Sequence, residues 1–135
     1  MAVVFGPTQW QFDSLTSPGS AYAGGTSICR SGGVIWIVAP ASTEVSRDWY
    51  NRADAATTAE ANAACGDWFV PSLGQLQNPG YTCRTYWDSY VASLYWSDTA
   101  PSASRAWVVN LSNGVHSRYH MTYSVNVRAF RCVTY

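Results

Sequence analysis

Apolar positions along this chain come in short bursts set between glycine, proline, serine and asparagine, and their spacing changes from one segment to the next. Val34-Ile-Trp-Ile-Val38 is a continuous run that follows Ser31-Gly-Gly33 and is closed by Pro40. It is short for a helix and rich in β-branched residues, so it predicts a central strand buried on both faces. The alanine-rich stretch from Ala53 to Cys65 predicts one helix, starting anywhere between Arg47 and Thr58. Thr57 and Glu60 match a capping box there, and Gly66 can stop the helix in the left-handed conformation. Ser72 and Gln75 repeat the capping-box pattern for a second, short helix around Leu73 and Leu76, which Asn78-Pro-Gly80 ends with strong turn chemistry.

Further on, Tyr95-Trp-Ser97, Ala106 to Leu111, Val115-His-Ser117 and Val125 to Val133 read as strands. Ser112-Asn-Gly114 reads as a hairpin turn, because Asn-Gly tolerates positive φ at both central positions. Residues 81–94 show no clear period. Residues 1–28 read as an extended arm: Val3, Val4 and Phe5 suit a short strand, and Trp10 and Phe12 alternate with Gln9 and Gln11. Ser17-Pro-Gly-Ser20 and Gly24-Gly25 then break the chain. Such an arm packs either on its own domain or on a neighbour, and the division expected is an arm over 1–28 and a domain over 29–135.

Four tryptophan- or cysteine-anchored blocks follow one another in order. They are Cys65-Gly-Asp-Trp-Phe-Val-Pro-Ser72, Tyr95-Trp-Ser-Asp-Thr99, Ala106-Trp-Val-Val-Asn-Leu-Ser-Asn-Gly114 and Val127-Arg-Ala-Phe-Arg-Cys-Val133. Their succession resembles the C-type-lectin-like domains of bacterial and phage proteins, such as the C-terminal domain of legionella collagen-like adhesins, over roughly residues 32–135. The resemblance implies an α+β, C-type-lectin-like fold: two helices packed on a twisted antiparallel sheet with the chain ends near each other, preceded by the arm. It implies a packing role for Trp68 and Pro71 at a Trp-x-x-Pro corner, and structural roles for Trp96 and Trp107. It also pairs Cys65 with Cys132, leaving Cys29 with Cys83 as a second bridge or both as free buried thiols. Ligand spacing alone, with no Cys-x-x-Cys pair, argues against zinc, and it leaves all three pairings of four cysteines open.

At 135 residues the chain suits one hydrophobic core. Seven Trp, nine Tyr and four Phe exceed what that core takes in whole, so some aromatics are expected to be exposed or partnered. Eight Arg balance eight Asp plus Glu with no Lys, a net charge of zero and no basic run. Nucleic acid and anionic membranes are therefore not expected partners. Neutrality also weakens colloidal repulsion, which favours assembly with copies of itself or other proteins; a codon bias toward Arg accounts for the missing Lys equally well. No segment approaches about 18 apolar residues, so membrane insertion is not expected. Met1-Ala-Val-Val-Phe-Gly-Pro-Thr8 reads as no secretory leader, while four cysteines suit an oxidising destination. A virion protein, made in a host cytoplasm and released by lysis, satisfies both.

Chemistry is sparse. The Glu-Pro-Asn or Gln-Pro-Asp loop of calcium-dependent lectins is missing, and Trp96-Ser-Asp98 only partly echoes their Trp-Asn-Asp triplet. The acids are scattered, whereas calcium needs six to eight oxygen ligands. His116 and His120 are four apart, a metal-ligand spacing on a helix, but they follow an Asn-Gly turn in a stretch that reads as strand and loop. No Gly-x-Ser-x-Gly elbow, His-Glu-x-x-His or phosphate-cradling glycine loop occurs, and Asp88 and Asp98 cannot be placed in one cleft. The expectation is a non-enzyme with no catalytic residue, metal or cofactor.

Two segments carry binding chemistry instead. His116-Ser-Arg-Tyr-His-Met-Thr-Tyr-Ser124 holds His116, Arg118, Tyr119, His120 and Tyr123, a mixture of rigid rings and adaptable hydrogen bonds like that of antibody paratopes. It is either a contact loop or a polar loop with its tyrosines packed down. Tyr86, Trp87, Tyr90 and Tyr95 form either an exposed aromatic patch or a satellite core. The expected function is a structural or binding module on a bacteriophage virion surface, as a capsid decoration (cement) or tail or fibre protein. Its partners would be other virion proteins, copies of itself, or a host-surface glycan or protein. The alternative is a bacterial adhesin or calcium-independent carbohydrate-binding module, secreted or at a cell surface.

Overall fold

The structure is a computed structural model that describes residues 18–31, 34–62 and 68–134. Expectations placed on Val3, Val4, Phe5, Trp10, Phe12, Cys65 and Gly66 lie outside the described residues. In chain order the strands are β1 (Ala21–Tyr22), β2 (Gly25–Ser31), β3 (Val34–Val38), β4 (Val45–Arg47), β5 (Leu94–Trp96), β6 (Arg105–Asn110), β7 (His116–His120), β8 (Val125–Val127) and β9 (Phe130–Thr134). Helix α1 (Asp54–Asn62) follows β4, and α2 (Leu73–Gln75) precedes β5. The class is α+β as expected, with two sheets where one was expected. Four antiparallel strands lie in the order β1, β2, β3, β9, and five in the order β4, β8, β5, β6, β7. The pairing of β5 with β8 is parallel.

The apolar run Val34–Val38 is central, between β2 and β9, and its register with β9 runs from Val34 opposite Thr134 to Val38 opposite Phe130. Alternation sends its side chains to two cores. Ile35 and Ile37 join Trp68, Trp96, Val108 and Val127 on one side, and Val38 joins Trp87, Tyr95, Val109 and Phe130 on the other. Trp36 is only half-buried, edge-on to Phe69 with ring centroids 6.5 Å apart. Trp68, Pro71 and Trp96 are buried, and Trp107 is half-buried.

Residues 21–28 belong to the domain, which moves the expected arm boundary. β2 pairs with β3, and Ile28 is fully buried in the second core. Gly25 marks the closest approach, since a Cβ there would lie 2.3 Å from the Val38 carbonyl oxygen. Only glycine lets β2 begin against that backbone.

The helices follow local rules unevenly. Ser72 accepts from the Gln75 amide at 3.3 Å and Gln75 accepts from the Ser72 amide at 2.9 Å, so the predicted capping box forms. The chain continues as a wider turn, Leu76–Tyr81, broken at Asn78 where the backbone is extended. Thr57 does not cap α1. The helix starts earlier, at Asp54, and the Thr57 hydroxyl donates back to the Ala53 carbonyl at 3.3 Å from inside it. Asp54 in the first turn complements the helix dipole and pairs with Arg47 at 3.0 Å, which supplies the start that Thr57 was expected to supply.

β6 and β7 form the expected hairpin, with Val109 opposite His116. Its turn is longer than Asn-Gly alone: Asn113 and Gly114 both donate to the Asn110 carbonyl, at 3.3 and 2.7 Å, and only Gly114, at φ 77°, is left-handed. The last expected strand splits. Val125–Val127 belongs to one sheet and Phe130–Thr134 to the other, and the chain crosses between them at Arg128 and Ala129.

Cys29 and Cys83 form a disulfide. Cys132 is a free, exposed thiol, and Cys65, the partner that the family resemblance implied for it, lies outside the described residues. In β9, Cys132 faces Trp36 across the sheet.

Candidate functional site

β7 is an edge strand, and its alternation separates the residues singled out in the sequence. His116, Arg118 and His120 share one face; Tyr119 lies on the other. His116 sits edge-on to Trp107 with ring centroids 5.0 Å apart and pairs through Nδ1 with Gln77 Nε2 at 3.0 Å. The Arg118 guanidinium lies 5.7 Å from the Trp107 ring. His120 Nδ1 pairs with the Thr122 hydroxyl at 2.8 Å. Four residues of strand put His116 and His120 about 13 Å apart, too far to share a metal ion. No group of metal-ligating side chains occurs among the described residues.

Tyr119 and Tyr123 do come together. Their rings meet at 76° with centroids 5.9 Å apart, Tyr119 half-buried against the core and Tyr123 exposed. They line a pocket of about 330 Å³ with Ser46, Ser93, Ser124 and Asn126, floored by Leu94 and Val125. The turn from β7 into β8 brings Ser124 to the edge strand β4, where the Ser46 and Ser124 hydroxyls pair at 3.1 Å. Asn126 donates from Nδ2 to the Leu94 carbonyl at 3.1 Å, which holds its amide in place. Hydroxyls, one amide and two phenol rings make up the polar lining, and such groups recognise a ligand by hydrogen bonding and ring contact.

The aromatic segment before β5 is the satellite-core alternative for Trp87 and Tyr95. Trp87 is buried under Tyr90, Tyr95 and Phe130, at ring centroid distances of 6.0, 5.8 and 5.6 Å, so its place among candidate contact residues is corrected. Tyr90 is half-buried and Tyr86 exposed. Asp88 pairs with Arg128 and Asp98 with Arg52. A second pocket, about 440 Å³, lies beside the disulfide against Trp36, Val34 and Pro79.

Arg128 is the buried ionic centre that sequence reasoning missed. Its Nε donates to the Ala39 carbonyl at 2.6 Å, and its Nη1 donates to the Ser89 carbonyl at 3.0 Å and to Glu44 at 3.1 Å. Its Nη2 donates to Asp88, and Trp87 lies 5.4 Å beneath the guanidinium. The Tyr95 hydroxyl donates to the same Glu44 oxygen and accepts from the Val91 amide at 2.9 Å. Burial, and the bond to Glu44, push the Tyr95 phenol well above the ordinary tyrosine range. The Val91 carbonyl then accepts from Ser93, so this cluster anchors the strand entry that forms one wall of the tyrosine pocket. A lone Arg after a short apolar strand gives little sign of this, because its partners lie 84 and 40 residues away.

No family model matches the chain, and no curated protein matches it.

Proposed function

We propose that this chain is a non-enzymatic binding module with a C-type-lectin-like fold, displayed on a bacteriophage virion surface as a decoration or fibre component. Its contact surface is the Tyr119 and Tyr123 pocket. The observation that carries the reading is the convergence of those two rings with three serine hydroxyls and the Asn126 amide, where the hairpin side of one sheet meets its edge strand. Tyrosine supplies large rigid contact area with little entropy to lose, and serine and asparagine adapt their hydrogen bonds. The fold assignment is supported by the pairing of β3 with the last strand, β9, and by the ordered tryptophan blocks. The Cys29–Cys83 bridge suits an extracellular destination.

The test is mass spectrometry of purified phage particles, with antibody labelling of intact ones, followed by adsorption assays on particles carrying Tyr119→Ala and Tyr123→Ala. The protein is expected on the particle surface, with adsorption lost in the variants. Its absence from particles sinks the virion assignment, and unaltered adsorption sinks the assignment of the contact surface.

A further inference from the structure

We infer that the open edge of β7 takes an extended acidic segment of a partner protein, which continues the sheet as a further strand and sets its carboxylates against Arg105 and Arg118. This goes beyond the tyrosine pocket, because it concerns the edge of the hairpin and the face that carries Trp107.

β7 closes one side of its five-stranded sheet and pairs with β6 alone. The bonding of β6 shows which main-chain groups of β7 are open. Trp107 turns to β5, donating to the Thr99 carbonyl at 3.0 Å and accepting from the Ser97 amide at 2.9 Å. Its cross-strand partner Arg118 therefore also turns away from the shared ladder, out of the sheet. Just past the strand, Met121 donates to the Ser104 carbonyl at 2.9 Å, which sets the same parity. His116 and Arg118 thus direct both main-chain groups outward. His120 directs its amide outward, while its carbonyl accepts from Tyr123 at 3.1 Å. Proline or a bulge blunts many edge strands, but β7 has no proline and its register with β6 is unbroken from His116 to His120.

The side chains on that outer hairpin are cationic and unneutralised. Arg118 stands opposite Trp107, and Arg105 opposite His120, all on one face. Arg105 and Arg118 are exposed, and no carboxylate pairs with either among the described residues. All eight acids of the chain precede Thr99. Asp54 pairs with Arg47, Asp98 with Arg52, and Glu44 and Asp88 with Arg128, so those carboxylates are engaged elsewhere.

An open ladder edge calls for another main chain, and the cationic face calls for carboxylates. A polypeptide with Asp or Glu at every second position meets both demands. Alternation sends its acids to the face of Arg105 and Arg118 and the intervening residues to the face of Ser117 and Tyr119. A nucleic acid or an acidic polysaccharide offers the charge without the amides. A second copy joined edge to edge would set one arginine-bearing face against another, like charge against like. Residues 1–17 contain one acid, Asp13, and do not carry the pattern.

The experiment is NMR titration of the full chain with a peptide of ordinary strand length that alternates Glu and Thr. Its Gln-Thr counterpart is run beside it, with two forms of the acidic peptide methylated on alternate amides, one form in each phase. The expected result is saturable binding of the Glu-Thr peptide, with amide exchange slowed at His116 and Arg118 more than at Ser117 and Tyr119, which already bond to β6. One methylated form loses binding and the other keeps it. Affinity falls about tenfold for the Gln-Thr peptide and for the variant carrying Arg105→Gln with Arg118→Gln, the sum of several exposed ion pairs. Both arginines are exposed, so that variant keeps the native spectrum, and the exchange and methylation readouts use the unaltered chain. No binding of the Glu-Thr peptide, equal binding of the Gln-Thr peptide, the same result from both methylated forms, or full affinity in the double variant each overturns the inference. Displacement of the peptide by heparin, with both methylated forms still bound, also overturns it and reassigns the face to polyanions.

Discussion

Arg128 and Glu44 are 84 residues apart in sequence and form an ion pair at 3.1 Å in which the arginine side chain is 1% exposed and the glutamate 16%. The pair joins the loop after β3 to the crossing between the two sheets. Its second carboxylate, Asp88, is 35% exposed, so water already screens that contact. Removing one partner of a buried pair strands the other charge, at a cost of about 3–5 kcal/mol. Arg128→Met is expected to lose stability on that scale, Glu44→Gln on the order of 3 kcal/mol, and Asp88→Asn about 1 kcal/mol. Urea unfolding of the three variants checks the order; an Asp88 variant as damaged as the Glu44 variant would show that solvent exposure does not rank these contacts.

Tyr95 gives the fold an alkaline limit. Its folded-state phenol holds its proton above the ordinary tyrosine range because it is buried and donates to Glu44. In the unfolded chain it releases that proton near the ordinary value of about 10. Above that value the folded state binds more protons than the unfolded state, so stability falls as pH rises, and the contribution is complete below it. Tyr95→Phe is expected to flatten the decline above about pH 10. At neutral pH the same substitution costs about 1–3 kcal/mol, because the Val91 amide and the Glu44 oxygen lose their partner. Chemical denaturation from pH 7 to 11 reads both effects. An equally steep alkaline decline in the variant would assign it to other tyrosines.

The cysteines separate by reagent. Cys132 is an exposed thiol and is expected to alkylate in the native protein, whereas Cys29 and Cys83 alkylate only after reduction. Their bridge spans 54 residues, and closing a loop of that length in the unfolded chain corresponds to about 4 kcal/mol of loop-closure entropy. Cys29→Ala with Cys83→Ala is expected to lower stability by about 2–4 kcal/mol while leaving the native spectrum. Intact-mass analysis after alkylation, with peptide mapping, decides the thiol assignment. Native labelling at Cys83 would contradict it.

Local signals carried the sequence reading where the structure is local. The β-branched run at Val34–Val38 and the Ser72 and Gln75 box each depend on residues within a few positions, and each forms. Thr57 and Glu60 carry the same pattern as Ser72 and Gln75, yet α1 opens at Asp54, because the chain arrives from a turn over Trp49–Asn51 that Asp48 already caps. Non-local chemistry left fainter marks. The sequence leaves Trp87 open between an exposed patch and a satellite core, and only the fold puts Phe130 and Tyr95 against it. For the pocket, Tyr119 and Tyr123 lie in one segment that the sequence singles out, whereas Ser46, Ser93 and Asn126 come from three other parts of the chain, and nothing in their neighbours marks them.

The turn between β6 and β7 depends on Gly114 for two separate reasons. Its φ of 77° lies in the region that a side chain disfavours, and a Cβ there would meet the Tyr81 ring at 2.6 to 2.9 Å. The ring has little room to withdraw, because the Arg84 guanidinium lies 4.0 Å from its centroid and is tied to the Tyr81 carbonyl at 3.0 Å. Gly114→Ala therefore combines backbone strain with overpacking and is expected to cost about 2–4 kcal/mol. Tyr81→Ala in the same background removes the clash and leaves the strain, so the double variant is expected to be less damaged than the sum of the two single ones. A double-mutant cycle by urea unfolding measures that coupling. Strict additivity would mean that the ring moves freely and that the left-handed backbone alone requires glycine.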